Sequence, residues 1–317
     1  MTENTKSEAI PVHPRLSIGT RGSPLALWQA HAVRAALAGA LKVPEEEIAV
    51  NVIRTSGDQI QDRALSEAGG KGLFTKEIEE ALLDGRVDLA VHSAKDVATY
   101  LPEGLHLAGY LPRADVRDAL ILKEGARLED LPAGARVGTA SLRREAQLRR
   151  IRPDLKVELL RGNVHTRLSK VRDGEFDGTL LALAGLTRLG LAEVASSVLD
   201  TDAFLPAVGQ GAVAIECRID DPDTNAAIAA IACRDTGIAL EAERAFLAAL
   251  DGSCRTPIAG LARVEGDQVR LRGIVLAPDG ADAAEIEEVA PIAEAAALGA
   301  RCGAVLRDSA PARALGL

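Results

Sequence analysis

Apolar positions along the first two thirds of the chain fall into two alternating rhythms. Short runs such as "RLSIGT" (15–20), "IAVNVI" (48–53) and "RVDLAVH" (86–92) predict strands. Between them, "PLALWQAHAVRAALAGAL" (24–41) and "GLFTKEIEEALLDG" (72–85) repeat apolar residues three and four apart, which predicts helices. Ser23 and Pro24 suit the N-cap and first position of the first helix, and a glycine closes the second. The alternation restarts after about residue 115. There "ARVGT" leads into a helix from Ser141, "KVELL" into a helix from Asn163, and "GTLLAL" into a short helix ending near Gly190. Alternating strands and helices predict an α/β fold with largely parallel sheets covered on both faces.

After about residue 235 the rhythm changes. "IALEAERAFLAAL" (238–250) reads as a helix, and "IAGLARV" and "QVRLRGIVL" flank "EGD" as an antiparallel hairpin. An alanine-rich helix is expected from roughly 291 to 308. This end of the chain reads as a separate, smaller α+β domain. At 317 residues the chain is too long for one core of ordinary size, which agrees with more than one domain.

Composition narrows the function classes. A net charge of −9 disfavours wholesale binding to nucleic acid or anionic membrane, and an aromatic content of 2% removes the stacking platforms of single-strand binders. No secretory signal or apolar span is visible, so a cytoplasmic protein with reduced thiols is expected. The four cysteines (Cys217, Cys233, Cys254 and Cys302) lack CxxC spacing, which argues against a zinc site or a disulfide framework. Cys254, in the turn "DGSCRTP", is left as either a small apolar filler or an accessible nucleophile.

Charge is unevenly distributed. Residues 135–172 carry eleven basic residues against three acidic ones inside an acidic protein. Arg149, Arg150 and Arg152 read as a solvated helix face. Arg143, Arg144, Arg161 and Arg167 instead lie at strand-to-helix turns, "GTASLRR" and "LRGNVHTR", where free N–H groups, hydroxyls and the helix dipole favour anions. Arginine adds planar bidentate recognition of carboxylate or phosphate. "IGTRGSP" (18–24) sets Arg21 and Ser23 in the equivalent place of the first lobe, so an anionic ligand between two lobes is expected.

"LAVHSAKDVAT" (89–99) ends a strand with Asp96, a usual place for chemistry, although a cap or turn role is open to it. Lys95 reads as an anion contact or a solvated side chain, and His92 as a core histidine. "GGKGLFTKEIE" (69–79) lacks P-loop spacing and reads as a loop beside the cleft. "FLPAVGQGAVAIECR" (204–218) suggests a crossing where backbones approach closely.

Taken in order, "TRGSPLALWQA", "GGKGLFTKE", "AVHSAKDV", "VGTASLRR", "LRGNVHTRLSK", "AGLTRLGL", "LPAVGQGAVAIECR" and the "GSC" turn resemble the porphobilinogen deaminase family over nearly the whole chain. The resemblance implies two lobes like those of type II periplasmic binding proteins plus a small C-terminal α+β domain. The expected boundaries are 1–111, rejoined by about 212–230, then 112–211 and 231–317. It implies a transferase of tetrapyrrole biosynthesis that condenses four porphobilinogen molecules head to tail, with loss of ammonia, into hydroxymethylbilane. It also implies a dipyrromethane cofactor held by a thioether to Cys254. A thiolate is a soft nucleophile suited to the electrophilic methylene-pyrrolenine that deamination leaves.

By the same resemblance Asp96 is the catalytic carboxylate. Arg21, Arg143, Arg144, Arg161, Arg167 and Arg188 bind the acetate and propionate groups, with Ser23, Ser93, Lys95, Thr139 and Ser141 as further contacts. Gln29, Lys71 and Gln210 lie near the cleft with less definite roles. No metal and no nucleic-acid or membrane partner is expected, and the chain is expected to act as a monomer. Departures from the family pattern are Ala98, where proline is frequent, Ser253, where a second glycine is common, and Glu67, where some members carry lysine. A non-enzymatic anion-binding module on the same two lobes would account for the arginines but gives no role to Asp96 or Cys254.

Overall fold

A computed structural model describes residues 15–59, 74–252 and 256–317. The expectations placed on Lys71 and Cys254, and on most of the loop 55–71, lie outside the described residues.

The first stretch builds β1 (Leu16–Thr20), α1 (Pro24–Leu41), β2 (Ile48–Val52), α2 (Ser56–Gln59), α3 (Lys76–Leu83), β3 (Leu89–Ser93) and β4 (Leu105–Tyr110). The second builds β5 (Asp118–Leu122), β6 (Arg136–Thr139), α4 (Leu142–Ile151), β7 (Lys156–Leu159), α5 (Val164–Arg172), β8 (Gly178–Ala182), α6 (Leu183–Arg188) and β9 (Ser197–Val198). The chain then adds β10 (Val213–Arg218) and α7 (Pro222–Ala229). It ends in α8 (Arg234–Ala249), β11 (Ile258–Glu265), β12 (Gln268–Leu276), β13 (Ala283–Pro291), α9 (Ala295–Arg307) and α10 (Ala310–Ala314).

Two five-stranded sheets result, ordered β2-β1-β3-β10-β4 and β7-β6-β8-β5-β9. Each has a parallel core of three strands and an antiparallel fourth strand. The antiparallel members are the one departure from the largely parallel expectation. β10 returns from the second lobe to lie between β3 and β4, pairing Val213 with Ser93 and Ala214 with both His92 and Tyr110. The third sheet, β11-β12-β13, is antiparallel.

Local chemistry explains the element ends. Ser23 caps α1 by accepting from the Ala26 N–H at 3.3 Å, Ser141 caps α4 through Arg144 N–H at 3.4 Å, and Asn163 caps α5 through Thr166 N–H at 2.9 Å. Three sequence expectations shift. α3 begins at Lys76 rather than 72, α8 begins one turn earlier than expected, and β13 was not foreseen because "AAEIEEVAP" mixes acidic and small residues.

The core is divided accordingly. Val33, Leu37, Leu89, Val91 and Ile215 fill one face of the first sheet, while Ile78, Leu82 and Ala90 fill the other under α3. Leu120, Val137, Leu148, Leu180 and Phe204 do the same for the second lobe, and Phe246, Leu271, Val275 and Leu298 anchor the third domain. No helix among the described residues is long and apolar enough to cross a membrane.

Candidate active site

The side chains expected at the site follow the ends of parallel strands. β1 runs into Arg21 and Ser23, and β3 into Lys95 and Asp96. In the second lobe β6 runs into Ser141, and β7 is followed by Arg161. A cavity of about 70 Å³ opens at the first-lobe ends, lined among others by Arg21, Ser23, Gln29, Phe74, Ser93 and Asp96. The Arg21 guanidinium stacks 4.2 Å from the Phe74 ring centre. Gln29, fully buried on α1, donates to the Ser93 hydroxyl at 2.9 Å, which fixes the end of β3.

Asp96 is exposed, and its charge acts on two cations. Lys95 is pushed down to about 8, by burial first and then by the charge of Arg144, with Asp96 opposing. Arg167, on α5, is pushed down to about 10 by burial and by Arg144, again with Asp96 opposing. Its Nε donates to the Gly162 carbonyl at 2.9 Å. Arg167 from the second lobe thus senses Asp96 from the first. Cations held this reluctantly are a site suited to an anionic ligand.

Arg143 and Arg144, in the first turn of α4, both reach one internal acid. Both are almost fully buried and clamp Asp118 at the start of β5. Arg143 Nη1 donates to Oδ2 at 2.8 Å, and Arg144 Nη2 donates to Oδ1 at 2.6 Å. Further donors go to the carbonyls of Leu205 and Leu180, both at 2.8 Å. Burial alone would raise the Asp118 carboxyl, but the two guanidiniums outweigh it and hold it far below the usual range. Thr139 is buried and accepts from the Ser141 N–H at 3.2 Å, a turn-forming contact.

Gln210 joins the three parts of the molecule. Its amide donates to Asp118 at 3.0 Å and to the Val116 carbonyl at 2.8 Å, while its side-chain oxygen accepts from Lys95 at 3.4 Å. Its backbone carbonyl accepts from Arg113, whose guanidinium forks onto Glu243 of α8 at 2.6 and 3.1 Å. Glu243, with no exposed side-chain surface, also accepts from the N–H groups of Gly209 and Ala262. The crossing needs glycine. Gly209 and Gly211 have φ of +76° and +85°, and a Cβ on Gly211 would stand 2.6 Å from the Ala114 carbonyl oxygen. Arg188, from α6, donates to the Gly211 carbonyl at 2.7 Å and lies 5.4 Å over the Trp28 ring of α1.

Sequence reasoning missed Asp118, Arg113 and Glu243. Signals existed: a charged pair opening the apolar run "RDALIL", and an acid on the apolar face of "ALEAERAFL". Buried ionic groups in such places require partners.

Residues 16–226 match the sequence model of the family described as porphobilinogen deaminase, dipyromethane cofactor binding domain, and residues 238–308 match porphobilinogen deaminase, C-terminal domain. A porphobilinogen deaminase of Nitrobacter winogradskyi is 60% identical over 93% of this chain and 93% of its own length. That of Paracoccus denitrificans is 53% identical over 95% and 96%. Among solved structures, a putative methionine-binding lipoprotein from Bacillus subtilis aligns with a TM-score of 0.42 at 14% identity, over 70% of this chain and 91% of that one. The two family models in sequence order, and relatives at this identity along almost the whole chain, establish that the chain belongs to the porphobilinogen deaminase family.

Proposed function

We propose that this chain is a hydroxymethylbilane-forming transferase whose Asp96 works inside a cleft of cations that hold the substrate carboxylates. Four porphobilinogen molecules and one water give hydroxymethylbilane and four ammonia. In each condensation an aminomethyl C–N bond breaks, and a C–C bond forms to the α-carbon of the preceding ring. That carbon's proton ends on the departing ammonia.

The observation that carries the reading is that Asp96 lines one cavity with Arg21, Ser23 and Ser93, within the field of Lys95 and Arg167, cations from opposite lobes whose charge burial disfavours. Asp96 would accept pyrrole N–H hydrogen bonds and offset the positive charge that develops on the rings. Arg21, Arg161, Arg167, Arg188 and Lys95, with Ser23 and Ser93, would bind acetate and propionate groups. Arg143, Arg144, Thr139, Ser141, Gln29 and Gln210 would set the shape of the cleft, the two arginines acting through Asp118 and their field. The domains would be 1–111 with 212–230, 112–211 and 231–317.

The residues fit a dipyrromethane with carboxylate side chains. The cleft is cationic, and the segment just after Asp96 is tied to the turn leading to residue 254. There Thr99 donates to the Gly252 carbonyl at 2.7 Å, and Arg244 donates to the carbonyls of Ala98 and Thr99 at 2.9 and 3.0 Å. Cys254 would hold the group by a thioether. When bound, it supplies the pyrrole end from which the chain grows. The enzyme would work as a cytoplasmic monomer without metal, nucleic acid or membrane.

Intact-protein mass spectrometry with a porphobilinogen assay tests the reading. The expected result is an excess of two pyrrole units on Cys254, lost in Cys254→Ala. A bare sequence mass together with no consumption of porphobilinogen would overturn it.

A further inference from the structure

Under the rim of the cavity lies a buried ionisable group that the mechanism above leaves unused. His92, on β3 four residues before Asp96, is 5% exposed and is among the residues lining the same cavity. Its Nε2 lies 3.0 Å from Glu216 Oε2 on β10. No described residue hydrogen-bonds its Nδ1. Glu216 is completely buried, and its second oxygen, Oε1, has no partner among the described residues. Glu79 of α3, 7% exposed, is in the same condition at its own Oε1. Burial raises the Glu79 carboxyl against the opposing Thr75 side chain, the charge of Glu216 adds to the rise and His92 opposes it, so the three groups are electrostatically coupled.

Core histidines are ordinarily satisfied, and buried carboxylate oxygens almost always find a donor. A histidine at a cavity wall, backed by a buried carboxylate with an unpaired oxygen, is an arrangement suited to holding a proton. The family reaction needs such a store. The proton lost from the α-carbon of the attacking ring has to reach the ammonia set free from the next substrate.

We propose that His92, held by Glu216, is a proton-transfer residue of this pocket, taking the α-proton of the attacking pyrrole and releasing it to ammonia. The carbon keeps the electron pair of its C–H bond and the ring regains aromaticity. The imidazole is protonated and then returns to neutral as ammonium forms, so no other reactant is consumed. The imidazole contacts Glu216 from β10, the charge of Glu79 from α3 is coupled to it, and Arg21 and Asp96 line the same cavity. Asp96 steadies charge on the rings, and His92 moves the proton. The inference rests on the proposed function, and the parent enzyme's consumption of porphobilinogen tests that reading separately.

The experiment uses the full chain loaded with its cofactor, with loading verified by mass. His92→Gln and Glu216→Gln are compared with the parent, using ordinary and α-deuterated porphobilinogen. In His92→Gln, kcat is expected to fall about 10²-fold with KM within about twofold. A deuterium effect on kcat should appear or grow, because C–H cleavage becomes limiting. A residue that only supports the fold would slow both substrates alike. Glu216→Gln is expected to give a smaller loss and a displaced pH profile. Independently of turnover, ¹⁵N-histidine NMR should show the His92 Nε2 resonance moving in Glu216→Gln, because its partner at 3.0 Å loses its charge. A folded, loaded His92→Gln protein with parental kcat, a slowed variant without an enlarged deuterium effect, or a His92 resonance unmoved by Glu216→Gln overturns the proposal.

Discussion

The hydroxyl of Thr99 donates to the backbone carbonyl of Gly252 at 2.7 Å, joining the segment that follows Asp96 to the turn that leads to Cys254 across 153 residues of sequence. Arg244 adds two bonds to the same segment, at the carbonyls of Ala98 and Thr99. First lobe and third domain are therefore locked together beside the site. Thr99→Val should lower stability by about 1 kcal/mol, as for loss of one hydrogen bond. It should also reduce the fraction of cofactor-loaded protein. Thermal melts and intact mass check this, and unchanged loading would show that the contact serves stability alone.

Asp96 is exposed and caps nothing, so its removal should spare the fold. Asp96→Asn is expected to melt within about 1 °C of the parent, as surface changes generally do. Its kcat should fall by about 10² to 10⁴. Steady-state kinetics at saturating porphobilinogen would reveal this, and a near-normal rate would remove Asp96 from the chemistry.

Asp118 is the counter-charge of Arg143 and Arg144. Its carboxyl is held far below its unfolded value by those arginines, so it stabilises the fold fully above the usual carboxylate pKa. That contribution is lost as pH falls through and below this value. Asp118→Asn should destabilise the protein by roughly 3–5 kcal/mol near neutrality, since it leaves buried guanidiniums unbalanced. The gap between parent and variant should narrow toward pH 2. Urea titrations from pH 7 downward measure both, and a gap that stays constant would show that the charge is unimportant.

Lys95 carries the opposite sign. Its folded pKa of about 8 lies below that of a free lysine, so the fold disfavours its charged form. Stability should therefore rise with pH between about 8 and the unfolded value near 10.5. Lys95→Met removes this rise and should melt no lower than the parent at pH 6, while KM for porphobilinogen increases several-fold. In the parent, KM should climb above pH 8 as the ammonium is lost. A pH-independent KM would exclude a charged Lys95 from carboxylate binding.

Much of this arrangement was legible in the chain. The caps at Ser23, Ser141 and Asn163, and the strands that feed them, follow from local rules and stand where the sequence places them. The glycine-rich crossing announced a close approach, and Gly209 and Gly211 make one. The fates of Arg143 and Arg144 were not legible, because their partner Asp118 lies some 25 residues earlier and nothing local couples them. The same is true of Glu216, which reaches His92 only through the register of β10 on β3. Long-range pairing of charge is set by topology, and a single sequence shows its members without their connections.

The position of β10 also bears on how the protein is made. Because residues 213–218 lie between β3 and β4, the first sheet cannot close until the entire second lobe has left the ribosome. Until then the edges of β3 and β4 are open and the floor beneath His92 is missing. Non-local strand pairing of this kind is slow and leaves aggregation-prone edges exposed during synthesis. The N-terminal lobe is thus not a module that nascent synthesis can finish first, and a chain truncated before β10 would leave the first sheet without the strand that joins β3 to β4.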